Sequence, residues 1–469
     1  MTGYPNTFIV SLNNSGSSRI SVPATVTIAS STYSTSFTIT ILDNELVDGD
    51  ETITLTASLD NFTGSQVEIG LSDDDTYPVA VDDVYTFTPG SSFHLAASGI
   101  LVNDSDGDGD AFSVYDYTAP TSGTLSLAAD GSFSWTPDSM ETSVSFTYTI
   151  TDGTYYDTAE VTLLEKVIFV DKDATGNNDG SSWTDAYTDL QSALAVVTAD
   201  DQVWVAEGSY YPTSGTSRLP SFSISDAVKI YGGFAGVEAS ITDRIPGENE
   251  TILSGDIGTS DDNTDNSYNV FKSTSSSSST AVLDRFTIKA GYANATGGES
   301  RGAGCTLSGG GMVLLHDCTF EENFASDAGG AIYQTDGTLY LIGCRFRDNE
   351  ASSKGGAIVV RAGGKVYLEN SLLYANTSNS GGAIYSDSSY VELKNSTLTQ
   401  NTAVGDAGGF YLYSETTLKV YNSILWDNDG EIYKDNSSST VSYSIVKGGH
   451  TGTGNLNTDP LFVDSAAGD

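Results

Sequence analysis

The chain has 469 residues, 62 acidic side chains against 19 basic ones, a formal net charge of −43 and three cysteines. Such a polyanion offers no positive field to phosphates, which excludes nucleic acid as a partner and favours solubility and multivalent cations. Three cysteines build no disulfide framework, no apolar run reaches the roughly 18 residues of a membrane span, and the length predicts about three domains.

Met1-Thr-Gly-Tyr4 carries no basic or apolar leader pattern, and the chain begins and stops inside β-type sequence. A fragment of a longer parent chain, with further domains on either side, is the expectation.

Residues 1–76 read as a small β-domain. Ala24–Ile28, Ser36–Ile41 and Thr52–Thr56 alternate apolar and polar residues, as half-buried antiparallel strands do. Between the last two lies Asp43-Asn-Glu-Leu-Val-Asp-Gly-Asp-Glu51, five acids in nine positions with no cation. Crowded carboxylates repel unless neutralised, so the loop is either a calcium site of hard oxygen ligands or a solvated acidic turn. The layout, down to Asp73-Asp-Asp75, resembles the second half of a Calx-β domain, with an abbreviated N-terminal half. That resemblance implies calcium ligands at Asp43, Asp48 and Glu51, with Asn44 in place of a usual acid.

Residues 77–166 form a second β-domain. Gly99–Asp104, Asp130–Pro137 and Phe146–Gly153 recur at regular intervals between strand-like runs, the spacing of an Ig-like sandwich. These elements resemble the cadherin-like tandem repeats of giant bacterial adhesins. Asp104-Ser-Asp106-Gly-Asp108-Gly109 fits the first half of an EF-hand loop, but Tyr115 stands where a bidentate Glu belongs. A simpler calcium loop from Asp104, Asp106, Asp108 and Asp110 remains, against an acidic turn. Residues 1–165 hold 24 acids and one base, Arg19, a ratio that favours structural calcium at one or more of these loops.

Residues 167–469 read as a right-handed parallel β-helix, and the whole chain as all-β. Repeats of about 26 residues are clearest over 317–429. Cys318-Thr-Phe320, Cys344-Arg-Phe346, Ser371-Leu-Leu373, Ser396-Thr-Leu398 and Ser423-Ile-Leu425 recur, followed by Asn323, Asn349, Asn376, Asn401 and Asn428 at spacings of 26, 27, 25 and 27. Gly-Gly pairs follow at Gly329, Gly355, Gly381 and Gly408. Such a period, built from short β-prone runs and turn residues, is that of a solenoid of stacked β-coils. The Phe and Leu positions predict an inward apolar ladder and the asparagines a ladder of amides bonding along the stack. Asp185–Val197 reads as an amphipathic helix capping the open end, Val203–Ala206 as the first buried strand, and Gly208–Arg244 and Gly255–Asn269 as projecting loops. Ser273–Thr280 reads as a loop tip, and Tyr443–Phe462 as a last coil.

The motifs Gly329-Gly-Ala-Ile332 and Phe320-Glu-Glu-Asn323 resemble those of polymorphic outer-membrane proteins and related bacterial surface β-helices. Ser181–Trp183, Tyr231–Phe234 and Asp459–Phe462 extend the likeness from about Ile168 onward. The resemblance implies a secreted or surface-exposed β-helix and no reaction. The module mix is similar to that of giant adhesins, including gliding adhesins of the Bacteroidota, whose O-glycosylation pattern Asp157-Thr-Ala159 and Asp464-Ser-Ala466 fit.

Catalytic candidates are Glu321, Glu322, Asp348 and Glu350 with Arg345, Arg347 and Arg361, but they fall at turn positions where solvated charge is the ordinary outcome. His94, His316 and His450 are far apart, and no nucleophile, phosphate or zinc motif occurs. Cys318 and Cys344, one period apart, form either a disulfide or a thiol ladder. Tyr333 and Tyr385 are rim packing or a sugar-stacking strip. The reading is a non-catalytic, calcium-stabilised extracellular adhesin or stalk, binding a glycan or another surface. A β-helix polysaccharide lyase or hydrolase, and a purely structural spacer, are the alternatives.

Overall fold

The computed structural model describes residues 6–87, 92–137, 143–199, 201–224, 227–274 and 280–463, so most of Ser273–Thr280 and the Asp464–Ala466 motif lie outside the described residues. The chain forms two compact units, Met1–Glu165 and Lys166–Asp469.

The first unit carries sandwich-type antiparallel sheets. Its N-terminal part is a four-stranded sheet in the order Thr25–Ile28, Phe8–Asn14, Glu51–Ser58, Ser65–Leu71. Its core is small: Ile20, Ile53 and Leu71, with Val22, Ile39 and Ile69 packed against them. The expected strand over 36–41 shrinks to Thr40–Ile41, because only Ile39 reaches this core while Phe37 and Ile41 stay exposed.

The second part is an Ig-like sandwich of a three-stranded and a four-stranded sheet. In the latter, Ser143–Thr151 and Tyr156–Glu165 pair antiparallel, while Asp83–Phe87 joins the far side in parallel. Alternate residues Val144, Phe146, Tyr148 and Ile150 face inward onto Trp135 and Phe133. Trp135 donates its indole N–H to the Ser122 carbonyl (3.0 Å), which lets a polar aromatic sit fully buried.

The second unit is the parallel β-helix. Three long sheets of ten, nine and eight strands run along it, with a short five-stranded one at a corner. One coil consists of Thr338–Ile342, Arg345–Arg347, Glu350–Ala351 and Ile358–Arg361. Phe320, Phe346, Leu373, Leu398 and Leu425 stand in exact register as one buried column, with the Phe320 and Phe346 rings stacked at 5.0 Å.

The polar ladder is also as the repeat implies. Asn323, Asn349, Asn376 and Asn401 each donate from Nδ2 to Oδ1 of the next asparagine at 2.8–3.0 Å, ending on Asn428. Asn428 in turn donates to the Glu431 carboxylate. The residue before each of these asparagines (Glu322, Asp348, Ala375, Gln400, Asp427) has φ between 54° and 58°, so each coil turns its corner on one left-handed residue. The second glycine of each pair is a close approach: a Cβ on Gly330 would lie 2.3 Å from the Gly356 carbonyl oxygen.

Two further expectations are corrected. Gly208–Arg244 is not simply a projecting loop, since Gly208–Tyr210, Phe222–Ile224 and Lys229–Phe234 join the three coil sheets. Their apolar residues are spaced by long insertions, which hides the period. The helix is shorter than Asp185–Val197: it spans Leu190–Val196, because Asp189 caps it by accepting from the Ser192 N–H at 2.8 Å. Leu190 and Ala193 are buried with Ile168, Val170 and Phe222, covering the first coil.

Candidate functional site

The acidic loops of the first unit converge. Glu45 of the loop 43–51 meets Asp110 of the loop 104–110, and Asp43 and Asp75 also act on it; Asp110 first, then burial and Asp43, raise the Glu45 pKa. Asp75 is raised by burial and then by Asp43, Asp73 and Asp74. Asp106 is raised by burial and by its contact with Asp108, whose own carboxyl is lowered by that hydrogen bond and by the Thr76 N–H. Carboxyls thus face carboxyls at three places on three segments. Asp73 Oδ1, Asp75 Oδ2 and Asp106 Oδ2 are buried and accept no hydrogen bond among the described residues.

Of the residues singled out in the sequence, Asp43, Asp106, Asp108 and Asp110 belong to this convergence. Asp48 is ion-paired with Arg19 (2.9 Å), and Glu51 accepts from the Ser17 hydroxyl (2.7 Å). Asp104 accepts from the Val81 N–H (2.8 Å) and the buried Tyr148 hydroxyl (3.0 Å), which it shares with Asp83. Glu45, Asp73 and Asp75 were not singled out as ligands. The acidic run Asp73-Asp-Asp75 was the signal, but spacing alone could not bring it to a loop thirty residues away. The oxygens are hard donors suited to calcium. Among the described residues, no three His, Cys, Asp or Glu side chains are already gathered around one ion position.

In the β-helix, the outward face of the nine-stranded sheet is distinctive. Alternation puts Phe320, Phe346, Leu373, Leu398 and Leu425 inside, so their neighbours point out. One outward column runs Thr319, Arg345, Leu372, Thr397, Ile424, Ile445, and the next Glu321, Arg347, Tyr374, Thr399, Trp426, of which Glu321 and Thr399 are covered. Arg345 is exposed and has no carboxylate within ion-pair reach among the described residues. Two hollows of about 430 and 330 Å³ are both lined by Gly343 and Arg345; the first adds Arg285, Asp317 and Glu250, the second Leu372, Thr397 and Phe462. Lys447 lies 5.9 Å over the Trp426 ring.

Beside the first hollow is a buried ion cluster that sequence reasoning missed. Asp284 accepts from Arg244 Nη1 (2.7 Å) and faces His316 Nδ1 (2.8 Å), and Arg285 lies 3.9 Å away. Asp284 ends a coil strand and Arg244 lies in a loop, with no motif linking them.

The other candidates have structural partners. Glu321 pairs with Arg347, and Arg361 with Asp387 (3.0 Å). Glu322 and Asp348 are the left-handed corner residues, and Glu350 is exposed. Tyr333 and Tyr385 are buried against Ala328 and Val359, and Tyr385, Tyr411 and Tyr433 stack on one another at 5.2 and 4.8 Å, so their faces are taken. Cys305, Cys318 and Cys344 are free, buried thiols; Cys318 and Cys344 donate to main-chain carbonyls, and burial pushes Cys344 up to about 12.

Residues 73–164 match the bacterial Ig domain family, 329–454 the right-handed β-helix region, and 317–335 the Chlamydia polymorphic membrane protein repeat. The combination is that of an adhesin-like bacterial surface protein. No helix of the described residues is long and apolar enough to cross a membrane.

No curated protein matches the chain. Among solved structures, an endo-fucoidan hydrolase of glycoside hydrolase family 107 is 16% identical over 33% of this chain and 23% of its own, with a TM-score of 0.14. Protocadherin gammaB7 EC3-6 is 14% identical over 34% and 40%, TM-score 0.18. Mouse clustered PcdhgC3 EC1-3 is 15% identical over 36% and 62%, TM-score 0.16. At such scores these likenesses carry no argument about fold or activity.

Proposed function

We propose that the chain is a non-catalytic adhesin segment. Its first unit is a stalk stiffened by calcium, and its β-helix presents the Arg345 face to an acidic glycan on a cell or another surface. The observation that carries this reading is the outward pair of columns joining Arg345 to Leu372, Tyr374 and Trp426, on a protein whose net charge is −43. Guanidinium forks pair with carboxylate or sulfate, and aromatic rings pack on sugar faces.

Calcium rests on Glu45, Asp73, Asp75, Asp106 and Asp110, together with Asp43 and Asp108. Mutual repulsion and unpaired buried oxygens make this set costly without a cation. The test is binding of immobilised uronate and sulfated polysaccharides. The wild type should bind and Arg345→Ala should lose at least about tenfold, roughly one charge-assisted contact. Equal binding by the variant would discard the face.

One observation favours a second reading, a polysaccharide lyase or hydrolase. Asp284 orients His316, the chain neighbour of Asp317, which lines a hollow with Arg285 and Arg345, so that a base adjoins cations able to neutralise a uronate. Release of unsaturated or reducing ends from acidic polysaccharides, abolished by His316→Ala, would establish it. A chain that binds no polysaccharide and cleaves none would be a spacer.

A further inference from the structure

The loop between the strands Thr251–Ser254 and Phe271–Ser273 is an insertion that the adhesion reading does not use. Its backbone is closed at the base. The Ser267 N–H donates to the Gly255 carbonyl (2.8 Å), and the Tyr292 N–H of the next coil to the Ser267 carbonyl (2.9 Å). Arg218 clamps it from outside, donating to the Asn266 carbonyl and to the Tyr292 carbonyl (2.7 Å) while lying 4.1 Å over the Tyr268 ring.

Inside this frame the side-chain oxygens are left over. Asp256 uses Oδ2 to accept from the Asp261 N–H (3.4 Å), and Asp265 uses Oδ2 to accept from Thr259 (2.9 Å). Asn266 spends its amide N–H on the Ala290 carbonyl (2.9 Å). Asp256 Oδ1, Asp265 Oδ1, Asn266 Oδ1 and Ser267 Oγ are all buried with no hydrogen-bond partner among the described residues. Asn266 is only 4% exposed and Ser267 is fully buried, and Asn266 and Asp256 line the same hollow of about 460 Å³.

Burying one such oxygen unpaired costs about 1–3 kcal/mol, so four within a dozen residues require an occupant. The occupant must supply hydrogen-bond donors or positive charge, because every atom left over except the Ser267 hydroxyl is a pure acceptor, and two carboxylates among them favour a cation over water. Two carboxylates match a dication in charge. Amide and hydroxyl oxygens match one that takes six to eight hard ligands and tolerates irregular geometry.

We propose that Asp256, Asp265 and Asn266, assisted by Ser267, bind one calcium ion that ties the two ends of the 255–269 insertion together. The site is independent of the acidic loops in the first unit. It draws half of its donors from an amide and a hydroxyl, a composition that a count of acids overlooks.

The test is hydrogen–deuterium exchange on the full chain, stripped with EGTA and then supplied with calcium chloride. Peptides covering 255–269 should exchange at least about tenfold more slowly with calcium in the wild type, and show no calcium response in an Asp256→Asn/Asp265→Asn variant. Peptides covering 43–51 and 104–110 should respond alike in both proteins. Should they fail to respond, the stalk reading fails and this one does not. Because the double variant could misfold, terbium luminescence sensitised by Tyr268 and quenched by calcium is read on the wild type as well. Calcium-indifferent exchange over 255–269, or an absence of calcium-displaceable terbium emission, would mean that water fills the site and would overturn the proposal.

Discussion

The asparagine corner of the β-helix and the acidic loops of the first unit handle buried polar groups in opposite ways. The coils stack each asparagine on its own counterpart, so the polar position at that corner must satisfy itself. Asparagine can, because it donates and accepts at once: Asn323 to Asn428 form a closed relay with every amide used. Serine does the same, with Ser371, Ser396, Ser423 and Ser444 each accepting a main-chain N–H from the coil before. An acid cannot, and Glu431 enters the relay only at its end, as acceptor. The first unit has no such discipline. Its loops bring Glu45 against Asp110 and Asp106 against Asp108, arrangements that self-pair only by sharing a proton and otherwise call for a cation.

The largest break in this contrast is to put first-unit chemistry into the ladder. Asn376 is fully buried; it donates to Phe346 O, Tyr374 O and Asn401 Oδ1 and accepts from Asn349. Asn376→Asp keeps the shape but turns three donor contacts into oxygen against oxygen. A loss of about 4 kcal/mol or more is expected in urea unfolding of the β-helix followed by tryptophan fluorescence. A loss below about 1 kcal/mol would mean that the relay is ornamental.

The next test concerns the first unit. Removing calcium should lower its melting transition by the equivalent of about 2.7 kcal/mol per site at a hundredfold excess of ion over the dissociation constant. Asp110→Asn should remove most of that response. Glu45 and Asp75 hold protons to higher pH than ordinary carboxyls, so protons compete with the ion and the response should shrink as pH falls. Identical melts in EDTA and in calcium would leave the carboxyl pairs to proton sharing alone.

Legibility divides along the same line. The inward column and the asparagine relay could be read from the repeat, since stacking makes sequence period and spatial neighbour the same thing. The glycine pairs were legible for the same reason, with Gly330 against the Gly356 carbonyl. What escaped was whatever depends on contacts off the period. Glu45 meeting Asp110 joins two loops of unrelated spacing, and Arg244 meeting Asp284 joins a loop to a coil strand, whereas His316 stands one coil from Asp284 in register. The strands inside 208–244 were missed because insertions break the count, although their residues obey the same inward alternation. Asp48 and Glu51, which the Calx-β resemblance implies as ligands, touch Arg19 and Ser17, contacts that no spacing announces.

The smallest effect tests the one acid that the ladder admits. Burial raises Glu431 to about 7 from the ordinary 4.5, opposed by the hydrogen bond from Asn428. The folded value lies above the unfolded one, so between these two pH values the native state holds more protons than the unfolded chain. Stability therefore falls as pH rises through that window, and is unaffected below it. At about 1.4 kcal/mol per unit, and discounting for the partial exposure of the side chain, the loss is about 1–2 kcal/mol by pH ~8. Glu431→Gln still offers Asn428 an acceptor but cannot ionise. The variant and the wild type should be equally stable near pH ~4.5, with the variant pulling ahead by that amount in mild alkali. A difference independent of pH would show that the carboxyl is solvated, and that the end of the relay is as open to charge as the loops of the first unit.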